Sequence, residues 1–173
     1  MDRRKTLRCF LSRYFFEPGF RFTVWLRITR FLYLRMHGKM GGILRPAFIF
    51  SRWIYKRLEY KFSYDISYKA QIGPGLTIAH YGYIIVGSNT QLGSNCGLKP
   101  GVVFGKKLTE NTGGARVGDN VEFGVGAKVV GDVRIGSNVI VGANAVITKN
   151  VSDNCVVAGM SAKIVRYLEN GTE

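Results

Sequence analysis

Apolar residues recur at every sixth position over the carboxyl-terminal part of the chain. From Val117 onward, a first apolar column is followed four residues later by a second, and both persist for six cycles. The first column is Val117, Phe123, Val129, Ile135, Val141 and Ile147, and the second is Val121, Ala127, Val133, Val139, Ala145 and Val151. Neither a helical period nor simple strand alternation produces this pattern. Three such units predict one triangular coil, with both columns stacked inward as the core.

The same pattern continues upstream with two interruptions. Its first column there is Ile72, Ile78, Val86, Leu92, Leu98 and Phe104. Two extra residues between Ile78 and Val86 predict an excursion around 80–83, and the long step from Phe104 to Val117 predicts a loop at 106–116. We therefore predict a mainly β protein whose residues 63–158 form a parallel β-helix of hexapeptide repeats.

Residues 1–62 follow a helical period instead and predict an α-helical extension that caps one end of the β-helix. One helix is predicted over about 47–60, where Phe50, Ile54 and Leu58 recur every four residues, and another over about 20–36. Three helix-breaking residues between them, Gly41, Gly42 and Pro46, predict the break in the chain.

The carboxyl-terminal end is predicted to cap the opposite end of the prism. Residues 159–173 are expected to form a short helix and a tail, because Ile164, Val165 and Leu168 fit one face of a helix.

Positive charge and aromatic residues are concentrated in the extension. Residues 1–61 carry 15 Lys/Arg against 3 Asp/Glu, a net charge of +12, and 14 of the 22 aromatic residues. Such a surface can associate peripherally with an anionic membrane. Alternatively, the helices only pack on the β-helix and on neighbouring subunits, with Arg stems covering apolar surface. Nucleic acid is a weaker match, and we expect none as a partner.

Compartment and metal content follow from the remaining composition. No apolar run reaches the ~18 residues that span a bilayer, and charged residues interrupt the amino-terminal stretch where a secretion signal would need an apolar core. An odd count of three cysteines suits a reducing compartment, so we expect a cytoplasmic protein, with the inner face of the membrane as an option. The two histidines and three cysteines lack the clustered spacing of a zinc site, and no metal is expected.

His80 is the strongest candidate for a catalytic base. The two-residue excursion should push it out of the packed coil, and imidazole exchanges protons near neutral pH. A solvated side chain without function is the alternative interpretation, and for His37 it is the only one. Cys96 lies in the second apolar column and should face inward, where a thiol is inert.

Three segments carry a more specific family signature than the repeats themselves. They are Ile78-Ala79-His80-Tyr81-Gly82-Tyr83-Ile84-Ile85-Val86, Val141-Gly142-Ala143-Asn144-Ala145-Val146-Ile147-Thr148-Lys149, and Val157-Ala158-Gly159 before Ala162-Lys163-Ile164-Val165. With Asp65-Ile66, they resemble the left-handed β-helix acyltransferases, in particular the serine acetyltransferase branch and its polysaccharide-modifying relatives such as colanic acid acetyltransferase. The resemblance covers about 100 residues and implies a left-handed coil and a homotrimer with its active sites between subunits.

The resemblance also implies residue roles. His80 matches the family's catalytic histidine, and Asp65 matches the acidic residue that orients it, although Asp65 is equally readable as a turn residue. Acetyl-CoA is the implied co-substrate. Its pantetheine would meet the main chains of Val125 and Ala143, and its phosphates would meet Thr148, Lys149 and Arg166. Each of these five is also compatible with an ordinary surface position.

The acceptor is expected to differ from serine. Ser67, Ala79 and the segment 113–116 replace polar residues that serine acetyltransferases carry at the matching positions. Polar residues in the 106–116 loop suit a saccharide. We therefore expect acetylation of a sugar hydroxyl in surface polysaccharide biosynthesis, on a free or lipid-linked acceptor. Serine O-acetylation and a non-catalytic trimeric scaffold are the alternatives.

Overall fold

A computed structural model of the chain describes residues 11–36, 41–106 and 113–168. Within these ranges, residues 11–16 are helical, and two long helices and fifteen short strands follow. The long helices are α1 (Pro18–Met36) and α2 (Gly41–Phe62). The strands are β1 (Tyr64–Ile66), β2 (Gln71–Ile72), β3 (Thr77–Ile78), β4 (Ile84–Val86), β5 (Gln91–Leu92), β6 (Gly97–Leu98), β7 (Val103–Gly105), β8 (Arg116–Val117), β9 (Glu122–Phe123), β10 (Lys128–Val130), β11 (Arg134–Ile135), β12 (Val139–Val141), β13 (Val146–Ile147), β14 (Cys155–Ala158) and β15 (Lys163–Tyr167). The predicted fold class, a mainly β parallel solenoid with amino-terminal helices, is confirmed.

From β1 to β13 every third strand joins the same sheet, which makes a three-sided prism. The first face is β1-β4-β7-β10-β13, the second is β2-β5-β8-β11, and the third is β3-β6-β9-β12-β14-β15. We call the edge between the third and first faces the His80 edge, because residues 79–83 turn there. The edge between the first and second faces is the loop edge, and the edge between the second and third faces is the asparagine edge.

Both apolar columns point into the prism, as predicted. All first-column residues are buried, and so are all second-column residues from Val121 to Ala145, while Val151 at the end is partly buried. Phe104 and Phe123 meet edge to face at the centre, with ring centroids 5.2 Å apart. Because each two- or three-residue strand is too short to form a sheet alone, this stacked interior holds the coils together.

One asparagine in each coil after the first occupies the same position along the asparagine edge. Asn95, Asn120, Asn138 and Asn154 all have a left-handed backbone, with φ between 54° and 56°. Each side-chain amide donates to the oxygen of the next: Asn95 to Asn120 at 3.2 Å, Asn120 to Asn138 at 3.0 Å, and Asn138 to Asn154 at 2.8 Å. Asparagine tolerates this backbone region better than most residues, so the ladder combines a tight corner with a link between coils.

The helices cap the first coil, whose outward backbone carbonyls have no strand beyond them. Arg27 donates to the carbonyls of Ile72 and Gly73, and Arg30 donates to those of residues 68–70. The buried Tyr55 hydroxyl donates to the carbonyl of Ile66. An open row of carbonyls invites pairing with another chain, and these side chains close it.

The predicted break between the helices is wrong in position. Gly41, Gly42 and Pro46 all lie inside α2, whose start is six residues earlier than expected. A Cβ at Gly41 would overlap the carbonyl oxygen of Met36, so glycine serves the close approach of the two helices. Pro46 sits early in α2, where a missing amide hydrogen costs one hydrogen bond at a solvated helix end. The connection itself, with His37, lies outside the described residues.

The predicted carboxyl-terminal helix is also wrong. Residues Lys163–Tyr167 form β15, which pairs antiparallel with β14. The edge of β14 offers unpaired backbone groups, and β-branched Ile164 and Val165 suit a strand. The predicted cap therefore exists as an added strand.

The predicted 106–116 loop leaves the prism at the loop edge. Strand β7 ends at Gly105 and β8 begins at Arg116, while residues 107–112 lie outside the described part of the chain. Neither α1 nor α2 is both long enough and apolar enough to cross a membrane.

Candidate active site

His80 lies in the excursion between β3 and β4, with its side chain exposed outside the coil as the spacing predicts. The surrounding backbone is held on both sides. Buried Tyr64 donates its hydroxyl to the carbonyl of His80 at 3.0 Å, and the amide of Gly82 donates to the carbonyl of Phe62 at 3.4 Å. Tyr81 stacks on Phe62 with ring centroids 6.1 Å apart. The imidazole thus projects from an anchored turn.

A cavity of about 390 Å³ opens beside His80. One wall is residues 76–81, and the other comes from the amino-terminal segment, including Arg13, Phe16 and Glu17. Gly19 brings α1 against the carbonyl of Ile78 and so closes the end of the cavity. Its volume falls in the range of small-molecule sites, about 300–1,000 Å³.

Asp65 does not bond to His80. The residue lies in β1, in register with Ile85, and its side chain is exposed. No hydrogen bond or ion pair joins its carboxylate to the imidazole in the part of the chain that the structure describes. The Glu59 carboxylate is the main cause of the raised pKa of Lys56, and burial is the main cause of the raised pKa of Glu59; the charge of Asp65 adds a smaller upward contribution to both. The orienting role of Asp65 stays a prediction.

Val125 and Ala143 lie on the His80 edge in consecutive coils. The carbonyl of Val125 already accepts a hydrogen bond from the amide of Asn144 at 2.8 Å. The amide hydrogens of Val125 and Ala143 have no acceptor among the described residues, and both residues are exposed. Coil spacing of roughly 4.8 Å puts Ala143 three coils, or about 14 Å, from the level of His80. The edge therefore offers two free donors, about 10 and 14 Å along the prism from the level of His80.

The three residues expected near phosphate lie elsewhere on the chain. Thr148 and Lys149 follow β13 at the loop edge, where the Thr148 hydroxyl is 3.4 Å from that of Ser161. Arg166 lies in β15, beside Val156 of the third face. No hydrogen bond links Thr148, Lys149 and Arg166 to one another within 113–168. The three residues thus lie near the same end of the prism but are not in contact with one another.

The repeat region is similar to two known hexapeptide-repeat families. The bacterial transferase hexapeptide (six repeats) matches residues 114–149, and the hexapeptide repeat of succinyl-transferase matches residues 83–109. A serine acetyltransferase of Synechococcus elongatus is 30% identical over 151 residues, covering 86% of this chain and 57% of that protein. WcaB of Escherichia coli K12, named as a colanic acid biosynthesis acetyltransferase, is 35% identical over 104 residues, covering 60% and 64%. The chain belongs to the hexapeptide-repeat acetyltransferase family.

A solved family structure shares the fold. The crystal structure of Neisseria gonorrhoeae serine acetyltransferase in complex with serine matches with a TM-score of 0.73 and 27% identity, covering 90% of this chain and 60% of that one. The chain thus spans about half to two thirds of the length of these family members.

The structure adds candidate residues that the family signature does not reveal. Tyr64 holds the His80 carbonyl, and burial raises the pKa of its hydroxyl to about 12. Arg13 and Glu17, which line the cavity, form an ion pair at 3.0 Å. From the repeats, Tyr64 looks like an ordinary inward residue of the first coil. Arg13 and Glu17 belong to the amino-terminal segment, which lies outside the repeats. The repeat pattern therefore predicts none of these three residues as part of the site.

Cys96 is buried at the asparagine edge, as its column position predicts. Its Sγ lies 3.4 Å from the carbonyl of Gly118, and burial raises the pKa of the thiol. Within the described ranges, no group of three or more His, Cys, Asp or Glu side chains could hold a metal ion.

Proposed function

We propose that this chain is an acetyl-CoA-dependent O-acetyltransferase that acts on a sugar hydroxyl in surface polysaccharide biosynthesis. The observation that carries the proposal is the exposed His80 at a cavity, on the same edge as the free amides of Val125 and Ala143. Its relatives include proteins named as serine and colanic acid biosynthesis acetyltransferases.

His80 acts as the general base. It takes the proton of the acceptor hydroxyl while that oxygen forms a bond to the thioester carbonyl carbon and the carbon–sulfur bond breaks. The imidazolium then returns the proton to the leaving thiolate, so no acyl-enzyme is required. Tyr64 keeps the base in place through the His80 carbonyl. Asp65 is proposed to stabilise the imidazolium, which requires its exposed carboxylate to approach the ring when substrate binds.

Acetyl-CoA supplies the activated acetyl group. The free amide hydrogens of Val125 and Ala143 suit the carbonyl oxygens of a pantetheine arm lying along the His80 edge. Thr148, Lys149 and Arg166 are proposed to bind its phosphates, since a hydroxyl and two cations match that chemistry. Because these three are spread over different faces of one prism, the site is completed in a homotrimer, where one protomer's edge faces its partner.

The acceptor occupies the cavity beside His80. Aromatic Phe16 and Tyr81 can stack on the apolar face of a sugar ring, and the Arg13–Glu17 pair can hydrogen-bond its hydroxyls. Beside the base, Ala79 has only a methyl group to offer a substrate ammonium. The aromatic rings and the lack of a carboxylate at position 79 therefore support a saccharide acceptor.

Serine O-acetylation is the second candidate function, because the similarity to serine acetyltransferases is as extensive as that to WcaB. The test measures thiol released from acetyl-CoA with a panel of sugars, nucleotide sugars and serine. It compares wild type with His80→Ala and with Ser88→Ala, a control at the loop edge.

With a sugar acceptor, we expect His80→Ala to lower kcat by about 10²–10⁴-fold and Ser88→Ala to leave it unchanged. Wild-type turnover in folded His80→Ala would overturn the mechanism. Preference for serine would establish the second candidate. Absence of acetyl-CoA binding by calorimetry would indicate a scaffold.

The proposed location is the cytoplasm, at the inner face of a membrane that carries lipid-linked saccharide acceptors. Two buried free thiols, Cys96 and Cys155, suit a reducing compartment. The basic amino-terminal segment supports attraction to anionic lipid.

A further inference from the structure

One side of α2 exposes large apolar side chains instead of packing on the prism. The buried side includes Ser51, Tyr55, Leu58 and Phe62. The opposite side, which we call the outer face of α2, exposes Ile43, Ile49, Phe50, Trp53 and Tyr60, with Phe50 60%, Trp53 54% and Tyr60 75% exposed. At 1.5 Å per residue, this row runs for about 26 Å. Its length and flatness suit contact with an extended surface.

Basic residues border the outer face at both of its ends. Arg45, Lys56, Arg57 and Lys61 are exposed. Arg57 lies over the Trp53 ring at 4.4 Å, and Lys56 lies over the Tyr60 ring at 4.9 Å. Glu59 is the acidic residue of α2, and it is buried and paired with Lys56 at 3.0 Å. The face therefore presents aromatic rings and cations without an exposed carboxylate.

This combination favours an anionic lipid surface over a second copy of the chain. Tryptophan, tyrosine and phenylalanine sit at the boundary between head groups and acyl chains, and Lys and Arg reach the head groups beside them. Two copies meeting through this face would instead bring like charges together, within a segment whose net charge is +12.

The position of α2 links this surface to the site. The carbonyl of Phe62, its last residue, accepts a hydrogen bond from Gly82, and the Phe62 ring stacks on Tyr81 beside His80. The outer face ends at Tyr60 and Lys61, so a surface that contacts it lies near the mouth of the His80 cavity.

We propose that the outer face of α2 docks the protein on an anionic phospholipid membrane, which brings the His80 cavity to a lipid-linked acceptor. The delivery of an acceptor rests on the proposed function, whereas the docking does not. Phe50 and Trp53 enter the interface, and the four bordering cations meet lipid phosphates.

The experiment sediments the full-length protein with vesicles of phosphatidylcholine alone or with about a third phosphatidylglycerol, and follows tryptophan fluorescence. One variant is Phe50→Ser/Trp53→Ser, and a second is Arg45→Gln/Arg57→Gln/Lys61→Gln. Met160→Ser is the matched control, since Met160 is an exposed apolar residue at the far end of the prism. Circular dichroism confirms that each variant is folded.

We expect wild type and Met160→Ser to bind the anionic vesicles and to lose most binding in 0.5 M salt. Each neutralised cation should weaken partition about fivefold, or about 100-fold for the triple variant. The aromatic variant should weaken it at least tenfold and lose the blue shift of fluorescence.

Equal binding to both vesicle types, or binding unchanged in both variants, would overturn the proposal. So would a wild-type assembly in solution that the aromatic variant splits, because the face would then join copies of the chain. Acetyl transfer to a soluble sugar is measured in parallel. If no sugar is acetylated while anionic vesicles still bind, the proposed function fails and the docking stands.

Discussion

Two substitutions in the asparagine ladder separate the contribution of its hydrogen bonds to stability from that of its backbone conformation. Asn120 donates to Asn138 at 3.0 Å, accepts from Asn95 at 3.2 Å, and holds a φ of 55°. Asn120→Gly removes both side-chain bonds but keeps the left-handed backbone accessible. Asn120→Ala removes the same bonds and keeps the Cβ in this left-handed conformation, but loses the polar side chain by which asparagine tolerates it.

The two variants should therefore lose different amounts of unfolding free energy. Two solvent-exposed hydrogen bonds contribute about 1–2 kcal/mol, which sets the loss for glycine. Alanine adds about 1 kcal/mol of backbone strain, for a total of about 2–3 kcal/mol. For a chain of this size each kcal/mol lowers the melting temperature by about 2–4 °C, so the expected drops are about 2–8 °C for glycine and about 4–12 °C for alanine.

Calorimetric melting at one fixed protein concentration measures both variants against Asn89→Ala, an exposed asparagine outside the ladder. That control should stay within about 0.5 kcal/mol of wild type. Because the ladder runs along a different edge from His80, turnover below the melting range should be unchanged. An alanine variant at least as stable as the glycine variant would refute the argument from backbone conformation. If both variants melt at the wild-type temperature, the ladder does not contribute to stability.

Three shorter predictions concern buried groups. Burial raises the pKa of the Glu59 carboxyl, although Lys56 acts in the opposite direction. The folded state therefore binds this proton more tightly than the unfolded state does. The stability that results is complete below the unfolded-state pKa and is lost as pH rises through the folded-state pKa. In urea unfolding, the free energy of unfolding of Glu59→Gln should therefore rise relative to that of wild type between pH 4 and pH 7. A difference in unfolding free energy that stays constant over this range would contradict the argument. Tyr64→Phe, which frees the His80 carbonyl, should lower kcat severalfold with an unchanged KM for acetyl-CoA and a loss of about 1 kcal/mol in stability; unchanged kcat would show that the bond does not position His80. Cys96→Ala should keep near wild-type turnover in steady-state assays, since its thiol is buried with a raised pKa, and a collapse of activity in the folded variant would revive a nucleophilic role.

The site was only partly predictable from the chain. Val125 and Ala143 are one coil of eighteen residues apart, so the period alone puts them on the same edge. The excursion at Ile78–Val86 likewise predicts that His80 leaves the coil. The Tyr64 contact and the wall formed by Arg13 and Glu17 depend on how the helical segment packs on the first coil, which no repeat encodes.

The sequence by itself determined the triangular coil, its two inward columns and the outward position of His80. It could do so because a six-residue period is a local property that each coil repeats against its neighbours. Tertiary structure decided the rest. The strand at Lys163–Tyr167 forms because β14 presents an unpaired edge, and glycine begins α2 because a Cβ at position 41 would overlap the Met36 carbonyl. These outcomes depend on backbone groups that the fold brings together from different elements. A short apolar run or a single glycine does not indicate in the sequence which backbone groups it will contact.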